Sequence, residues 1–92
     1  MNKYKYNNII KELNEIFQFN KENQLTFENF NNIELNLRFK LLGNEGIEKL
    51  KKINIPYLET LYISSNKISD IKVLKKVKFE NLKELYLSNN QI

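Results

Sequence analysis

Two tyrosines in matching positions are the residues of this sequence best suited to molecular recognition. Tyr62 and Tyr86 each stand in the middle of a nearly repeated segment. A tyrosine ring offers a large rigid surface and one polar hydroxyl, which is why tyrosine is enriched at the energetic centres of protein interfaces. Polar and charged residues alternate with apolar ones around them. The candidate partner-binding residues are Arg38, Lys40, Thr60, Tyr62, Ser64, Glu84, Tyr86 and Ser88.

Residue types that catalyse reactions or bind metals are scarce. The 92-residue chain has no cysteine and no histidine, which removes thiolate chemistry, the usual zinc ligands and imidazole acid–base catalysis. Its two glycines, Gly43 and Gly46, are not followed by the Lys-Ser/Thr of a phosphate-binding loop. Glu45 and Glu48 are close in sequence, but paired-carboxylate catalysis needs a cleft and perturbed pKa values. We therefore predict a protein that is not an enzyme and that uses no cofactor or metal.

Paired lysines form a second candidate surface. The chain has 15 Lys and Arg against 11 Asp and Glu, a net charge of +4. Lysines recur 24 residues apart, so they would share the convex side if the chain coils into stacked turns. They are Lys51 and Lys52, then Lys75 and Lys76, with Lys72 and Lys78 nearby. Such a strip suits a nucleic acid, an anionic surface or an acidic protein. Because Arg38 is the single arginine and no aromatic residues interleave the lysines, a solvated back face is the competing interpretation.

An internal repeat positions both sets of residues. The segment LETLYISSNKI at 58–68 returns as LKELYLSNNQI at 82–92. Apolar residues before each segment also correspond: Ile47, Leu50, Ile53 and Ile55 match Ile71, Leu74, Val77 and Phe79. A weaker copy, RFKLLGNEGI, aligns Phe39, Leu41 and Asn44 with Leu61, Ile63 and Asn66. On this alignment the first copy has a shorter link after its asparagine, with Gly43 and Gly46 supplying a permissive backbone.

Residues 58–68 and 82–92 match the pattern Leu-x-x-Leu-x-Leu-x-x-Asn-x-Ile at every fixed position. They resemble the leucine-rich-repeat family, and NKISDIKVL resembles its internalin-like and phosphatase-regulator-like subclass. The resemblance covers roughly residues 36–92. It implies an α/β solenoid, a right-handed superhelix with a parallel β-sheet on its concave face, that acts as a protein-binding scaffold. It also implies a buried ladder of Asn44, Asn66 and Asn90.

Alternating polar and apolar residues at 60–64 and 84–88 predict two strands of that sheet. Stacked repeats place Leu61 and Ile63 beside Leu85 and Leu87 in the interior. Tyr62 and Tyr86 then lie side by side on the concave face, with Arg38, Lys40 and Leu42 as the preceding row. Stabilisation of the sheet by a cross-strand pair is the competing interpretation of the tyrosines. For the return segment, which connects one strand of the sheet to the next, we predict a short helix or a 3₁₀ turn. Ser69 and Asp70 are its capping candidates.

An amphipathic helix is predicted at about residues 8–18, with Asn7 or Asn8 as its N-cap. Its apolar side consists of Ile9, Ile10, Leu13, Ile16 and Phe17, and Asn14 and Gln18 face away. A solenoid needs a cover for its first turn, so we predict that this helix is a cap, extended by Leu25, Phe27 and Phe30. Residues 33–37 alternate as a strand that opens the sheet. A membrane-surface or partner-binding helix is the alternative.

The predicted organisation is a helical cap region at 1–32 followed by leucine-rich repeats at 33–92. The repeats divide into an irregular unit at about 36–57, a full unit at 58–81 and a truncated unit at 82–92. The uncovered edge of the last unit predicts a fragment of a longer repeat protein, a truncated product, or a protomer that self-associates. Without a secretory signal, a membrane-spanning stretch or an N-glycosylation site, a cytoplasmic location is predicted.

Overall fold

A computed structural model describes residues 6–31, 33–70, 72, 74 and 79–92. The elements are α1 (Asn7–Phe17), a 3₁₀ helix (Phe27–Asn29), β1 (Phe30–Asn31), β2 (Glu34–Asn36), α2 (Gly43–Leu50), β3 (Thr60–Tyr62) and β4 (Glu84–Tyr86). The four strands form one mixed sheet in the order β1-β2-β3-β4. β1 pairs antiparallel with β2, whereas β2, β3 and β4 run parallel. The predicted parallel pairing of the two tyrosine-bearing strands is thus confirmed.

Equivalent leucines lie side by side along the sheet. Leu35 is opposite Leu61, and Leu61 is opposite Leu85. Leu35 and Leu61 are fully buried because α2 and the N-terminal segment cover that face of the sheet. Leu85 has the same orientation but is 37% exposed, since β4 has one described neighbour, β3. The core is therefore well closed around β2 and β3 and open beneath β4.

The first repeat has a different register from the one that the sequence alignment predicted. Leu35, and not Phe39, pairs with Leu61. The left-handed turn residues agree, because φ is 57° at Phe39 and 58° at the equivalent Ser65 and Asn89. The predicted row of Arg38, Lys40 and Leu42 beside Tyr62 is therefore wrong; Asn36 occupies that place. The predicted shorter link is also wrong, since the step from Leu35 to Leu61 is longer than the step from Leu61 to Leu85.

The asparagine ladder is confirmed for Asn66 and Asn90. The Asn66 side chain is fully buried and makes five hydrogen bonds. Its Nδ2 donates to the carbonyl oxygens of Leu37, Ile63 and Ser64 at 2.8, 3.0 and 3.1 Å, and its Oδ1 accepts from the amides of Lys40 and Leu42 at 2.9 and 3.2 Å. Asn90 Oδ1 accepts from the amides of Asn66 and Ile68 in the same way. Each asparagine thereby joins its own turn to the turn before it.

Asn44 is not part of the ladder. It lies on α2, where its side chain donates to Ser69 Oγ at 2.9 Å and accepts from the amides of Ser69 and Asp70 at 3.0 Å. Lys40 takes the place of the ladder asparagine in the first repeat, and its backbone amide donates to Asn66 Oδ1, as the Asn66 amide does to Asn90 Oδ1. Among the described residues the ladder therefore has two members, Asn66, which is buried, and Asn90, which is half-buried.

The return segment of the first repeat is the helix α2, where the sequence alignment predicted a short link, and it buries Ile47 and Leu50. Gly43 has φ of 63°, so its left-handed backbone explains the glycine. Gly46 is required for a different reason, because a Cβ there would lie 2.7 Å from Leu42 Cβ. In the next repeat the Asp70 carboxylate accepts from the Lys72 amide at 2.9 Å. The predictions for Ile71 and Val77 lie outside the described residues.

Helix α1 matches the predicted amphipathic helix and packs its apolar side on the core. Leu13 is fully buried, and Ile9, Ile10, Ile16 and Phe17 are half-buried against the core. The predicted N-cap is wrong, because Tyr6 holds that position and makes no side-chain capping bond. Asn14 does not face away: its side chain donates to the Leu25 carbonyl at 3.0 Å and accepts from the Leu25 amide at 2.7 Å. Gln18 is exposed, as predicted.

Aromatic contacts hold the N-terminal segment against the first repeat. The rings of Tyr6 and Phe30 are stacked with centroids 4.6 Å apart, and the ring of Tyr57 lies 5.8 Å from that of Tyr6. Leu25 and Phe30 are buried as the cap prediction requires, whereas Phe27 is largely exposed. No helix in the described part of the chain is both long enough and apolar enough to cross a membrane.

Candidate functional site

The candidate site lies on the sheet face opposite the buried leucines. We call it the tyrosine face, and its members are Glu34, Asn36, Arg38, Tyr62, Glu84 and Tyr86. Side chains alternate across a strand, so the burial of Leu35 and Leu61 turns their neighbours to this side. Asn36, Tyr62 and Tyr86 form one row, and Glu34, Thr60 and Glu84 form another. The parallel ladder thus brings residues from three repeats into one surface.

A three-layer stack occupies the middle of the tyrosine face. The rings of Tyr62 and Tyr86 have centroids 4.8 Å apart and planes inclined by 12°. The Arg38 guanidinium carbon lies 4.0 Å from the centroid of the Tyr62 ring, within the range of a cation–π contact. Backbone bonds beyond β2 position Arg38, since the Leu37 amide donates to the Tyr62 carbonyl at 2.8 Å and the Phe39 amide to the Ser64 carbonyl at 3.3 Å. The stack is therefore pre-formed and needs little ordering on binding.

Two carboxylates fix the tyrosine hydroxyls. Tyr62 donates to Glu34 Oε1 at 3.0 Å, and Tyr86 donates to Glu84 Oε2 at 2.5 Å. These hydrogen bonds to anions raise the pKa of both tyrosines above the usual value, because loss of the phenolic proton would remove the bond and place two negative charges together. Both rings are thus neutral hydrogen-bond donors near pH 7.

The Glu34→Gln substitution should lower the pKa of Tyr62 toward the usual tyrosine value. Its raised pKa comes first from the hydrogen bond to the Glu34 carboxylate, which the neutral amide weakens. A titration of phenolate absorbance, with the tyrosines assigned by NMR, measures the change. Glu84→Gln should act in the same direction on Tyr86, and Tyr57 should not move, because burial raises its pKa. An unchanged Tyr62 pKa in Glu34→Gln would show that the Glu34 bond does not form.

The raised pKa values also determine how the stability of the fold depends on alkaline pH. A tyrosine whose pKa is raised by folding contributes stability that is complete below the unfolded-state pKa and is lost as the pH rises through the folded-state pKa. Stability should therefore fall at alkaline pH and not near neutrality. Wild type should lose stability more steeply than Glu34→Gln over that alkaline range in denaturant unfolding followed at several pH values.

The sequence-predicted site residues are only partly brought together. Arg38, Tyr62, Glu84 and Tyr86 lie on the tyrosine face, and Ser88 is exposed in the next row, but Thr60 and Ser64 are buried. Lys40 turns toward the N-terminal segment, where its ammonium donates to the Asn23 carbonyl at 2.9 Å and lies 5.6 Å from the Phe19 ring. Sequence reasoning missed Glu34 and Asn36. The alternation at 33–37, already taken as a strand, was the signal that could have placed them.

The predicted lysine strip is described in part. Lys51, Lys52 and Lys72 are exposed, and Lys51 forms a 2.9 Å ion pair with Glu48 on its own helical turn. Lys75, Lys76 and Lys78 lie outside the described residues. In the part of the chain that the structure describes, no carboxylates gather into a cluster that could hold a metal ion.

Comparison with known proteins supports the repeat assignment. A family model described as Leucine Rich repeats (2 copies) matches residues 56–92, which is less than half of the chain. The match supports a leucine-rich-repeat protein with a solenoid-like fold, in agreement with the parallel strands and the asparagine ladder. No curated protein and no solved structure matches the chain. Leucine-rich repeats generally mediate protein–protein interactions.

Proposed function

We propose that this chain is a non-enzymatic interaction module that binds a partner protein on its tyrosine face. The observation that carries the proposal is the stack of Arg38, Tyr62 and Tyr86, which leaves Tyr86 40% exposed at the surface. Stacked aromatic rings and arginine are the residue types that dominate interface energetics. The hydroxyl bonds to Glu34 and Glu84 hold the rings in one orientation, so binding costs little side-chain entropy.

Charge on the tyrosine face suggests how a partner is oriented. Glu34 and Glu84 lie in one row of the sheet, and the Arg38 guanidinium stacks on Tyr62 in the tyrosine row. A partner with a basic group over the carboxylates and an acidic or carbonyl group near the guanidinium would complement this arrangement. The central aromatic contact would provide most of the affinity, and the flanking charges would orient the partner on the tyrosine face.

Removing both rings should abolish most of the binding. Each hot-spot tyrosine is worth about 2 kcal/mol, so Tyr62→Ala/Tyr86→Ala should lose about 4 kcal/mol and weaken binding by roughly 700-fold. The immobilised chain is used to isolate binding proteins at low and at high salt, and the affinity of an isolated protein is then measured with each purified variant. Thermal unfolding of the double variant verifies that it is folded.

A lysine variant is the matched control and tests the rival function. Lys52→Glu/Lys72→Glu reverses two exposed charges of the lysine strip and leaves the tyrosine face intact. We expect this variant to bind as wild type does, with weak dependence on salt. Loss of binding in the lysine variant alone, with a steep fall of affinity as salt rises, would instead identify a nucleic-acid or anionic-surface binder.

We also propose that residues 6–31 cap a right-handed superhelix of internalin-like repeats. In support, the antiparallel β1 covers the free edge of β2, and α1 contacts α2. The Tyr6–Phe30 stack and the Asn14–Leu25 bonds hold the segment together. The Tyr6–Tyr57 ring contact and the bond from the Lys40 ammonium to the Asn23 carbonyl join it to the first repeat. Such a cover protects both the strand edge and the apolar end of a solenoid. Its removal should cause unfolding or aggregation of the repeats, which circular dichroism and light scattering would detect.

The exposed edge of the sheet at β4 supports a proposal of self-association. Leu85 and Ile92 are 37% and 57% exposed, and β4 has one described neighbour. An apolar strand edge of this kind pairs readily with another strand. Sedimentation velocity over a range of concentrations should show association that Leu85→Lys reduces. A cytoplasmic location, predicted from the sequence, remains part of the proposal.

A further inference from the structure

Two large apolar side chains project from the turn that follows β2. Phe39 is 71% exposed and Leu41 is 68% exposed, the two highest values among the exposed large apolar residues of the described chain. Neither belongs to the tyrosine face or to the core. Both also have a left-handed backbone, with φ of 57° and 55°. Bulky side chains rarely adopt this conformation, because the Cβ comes too close to the carbonyl oxygen.

The equivalent turns of the other repeats show that apolar residues are not needed there. Ser65 and Asn89 occupy the position of Phe39, and Lys67 occupies the position of Leu41. Asparagine tolerates the left-handed region better than phenylalanine or leucine does. The first turn therefore has large apolar residues where its neighbours have polar ones, and these are less favourable for folding. Stability does not explain Phe39 and Leu41.

A cavity adjoins Leu41, next to the turn that carries Phe39. It has a volume of about 170 Å³ and lies between Leu41 and the C-terminal end of α1. The stacked rings of Phe17 and Phe19, with centroids 5.1 Å apart, form one wall, and Lys40, Glu45 and Lys49 line the rest. A cavity of about 150 Å³ holds a benzene molecule, so this one admits a single large side chain. Its two ammonium groups and one carboxylate leave the lining net positive.

We propose that Phe39, Leu41 and this cavity form a docking site for an acidic segment of a partner protein that carries large apolar side chains. The apolar groups pack on Phe39 and Leu41, and a carboxylate of the segment lies near Lys40 and Lys49. The positive lining and the net charge of +4 complement such a segment. The same charges oppose a second copy of this chain at the same site. The site is separate from the tyrosine face and does not depend on it.

A synthetic peptide with opposite-charge versions tests the site. The probe is a fluorescein-labelled amphipathic peptide with Leu at helical spacing and Glu elsewhere, and the control peptide has Lys in place of Glu. Fluorescence anisotropy should show that wild type binds the Glu peptide at least tenfold more tightly than the Lys peptide. Phe39→Asn/Leu41→Asn should weaken the Glu peptide at least tenfold and raise the unfolding midpoint by about 2–5 °C, since strain is relieved.

Lys49→Glu is a second variant that does not touch the strained turn. This variant should bind the Glu peptide more weakly than wild type does and the Lys peptide more tightly. Tyr86→Ala should bind both peptides as wild type does, because Tyr86 belongs to the tyrosine face and not to this site. A negative result in the peptide experiments would therefore leave the tyrosine-face proposal standing. Equal binding of the Glu peptide by wild type and Phe39→Asn/Leu41→Asn would overturn the proposal. Binding to phosphatidylserine vesicles but not to the peptide, or self-association that the double variant abolishes, would overturn it in favour of a membrane or a second copy.

Discussion

Asn66→Ala is expected to lower the free energy of unfolding by about 3 kcal/mol, a large part of the roughly 5–15 kcal/mol that stabilises a small domain. The Asn66 amide is fully buried and joins two turns of the chain through five hydrogen bonds. Alanine leaves buried carbonyl and amide groups of the first two repeats without partners. Each such group costs about 1–3 kcal/mol, and relaxation or entering water recovers part of that sum.

Asn44→Ala is the matched control for this prediction. The sequence alignment placed Asn44 in the ladder, but its side chain bonds to Ser69 and Asp70 near the surface. We expect a loss of about 1 kcal/mol for this substitution. Urea unfolding followed by circular dichroism measures both variants. A larger loss for Asn44→Ala than for Asn66→Ala would contradict the register of the first repeat.

Leu61→Ala is expected to cost about 3 kcal/mol, whereas Leu85→Ala at the equivalent position of the next strand should cost about 1 kcal/mol. Leu61 is 1% exposed between Leu35 and Leu85, so alanine leaves a cavity bounded on both sides. Leu85 has Leu61 as its neighbour on the described strand β3 and is 37% exposed. The side chain is identical in the two cases, and the difference comes from burial alone.

The same urea experiment decides the comparison of the two leucines. Leu61→Ala should shift the unfolding midpoint substantially without changing the slope, because the unfolded chain exposes about the same surface. If Leu85→Ala proved as costly as Leu61→Ala, the underside of β4 would be covered in solution. That result would favour the self-association proposed for this edge, and sedimentation of wild type and Leu85→Ala would test it directly.

Much of the repeat architecture could be predicted from local pattern. Alternation at 60–64 and 84–88 identifies strands whose parallel pairing and adjacent tyrosines the structure confirms, although Leu85, predicted to lie in the interior, is 37% exposed. The turn asparagines Asn66 and Asn90 follow from the same repeat. These features are predictable because each repeat makes the same contacts with its neighbour, so one spacing determines many of them.

The register of the first repeat could not be predicted by spacing alone. Phe39, Leu41 and Asn44 reproduce the spacing of Leu61, Ile63 and Asn66, although the first two are exposed turn residues. The true copy, with Leu35 and Leu37, has Lys40 where the asparagine belongs. A single substitution at the most diagnostic position was enough to favour the wrong alignment. As a result Glu34, which orients Tyr62, was left out of the predicted site.

Contacts between distant segments account for the other differences. Asn14 was placed on the outer side of α1 by periodicity, but its amide satisfies both backbone groups of Leu25. Tyr6 carries no periodic signal, and its burial comes from the rings of Phe30 and Tyr57. Tertiary hydrogen bonds and aromatic packing of this kind override local pattern.

Nuclear Overhauser contacts between the rings of Tyr62 and Tyr86 give the most direct test of the central claim, that successive repeats stack to form one tyrosine face. With ring centroids 4.8 Å apart, strong contacts between the two rings are expected, together with contacts from the Arg38 side chain to the Tyr62 ring. Absence of ring-to-ring contacts in the folded protein would contradict the stacking of the repeats, and the proposed binding surface would fail with it.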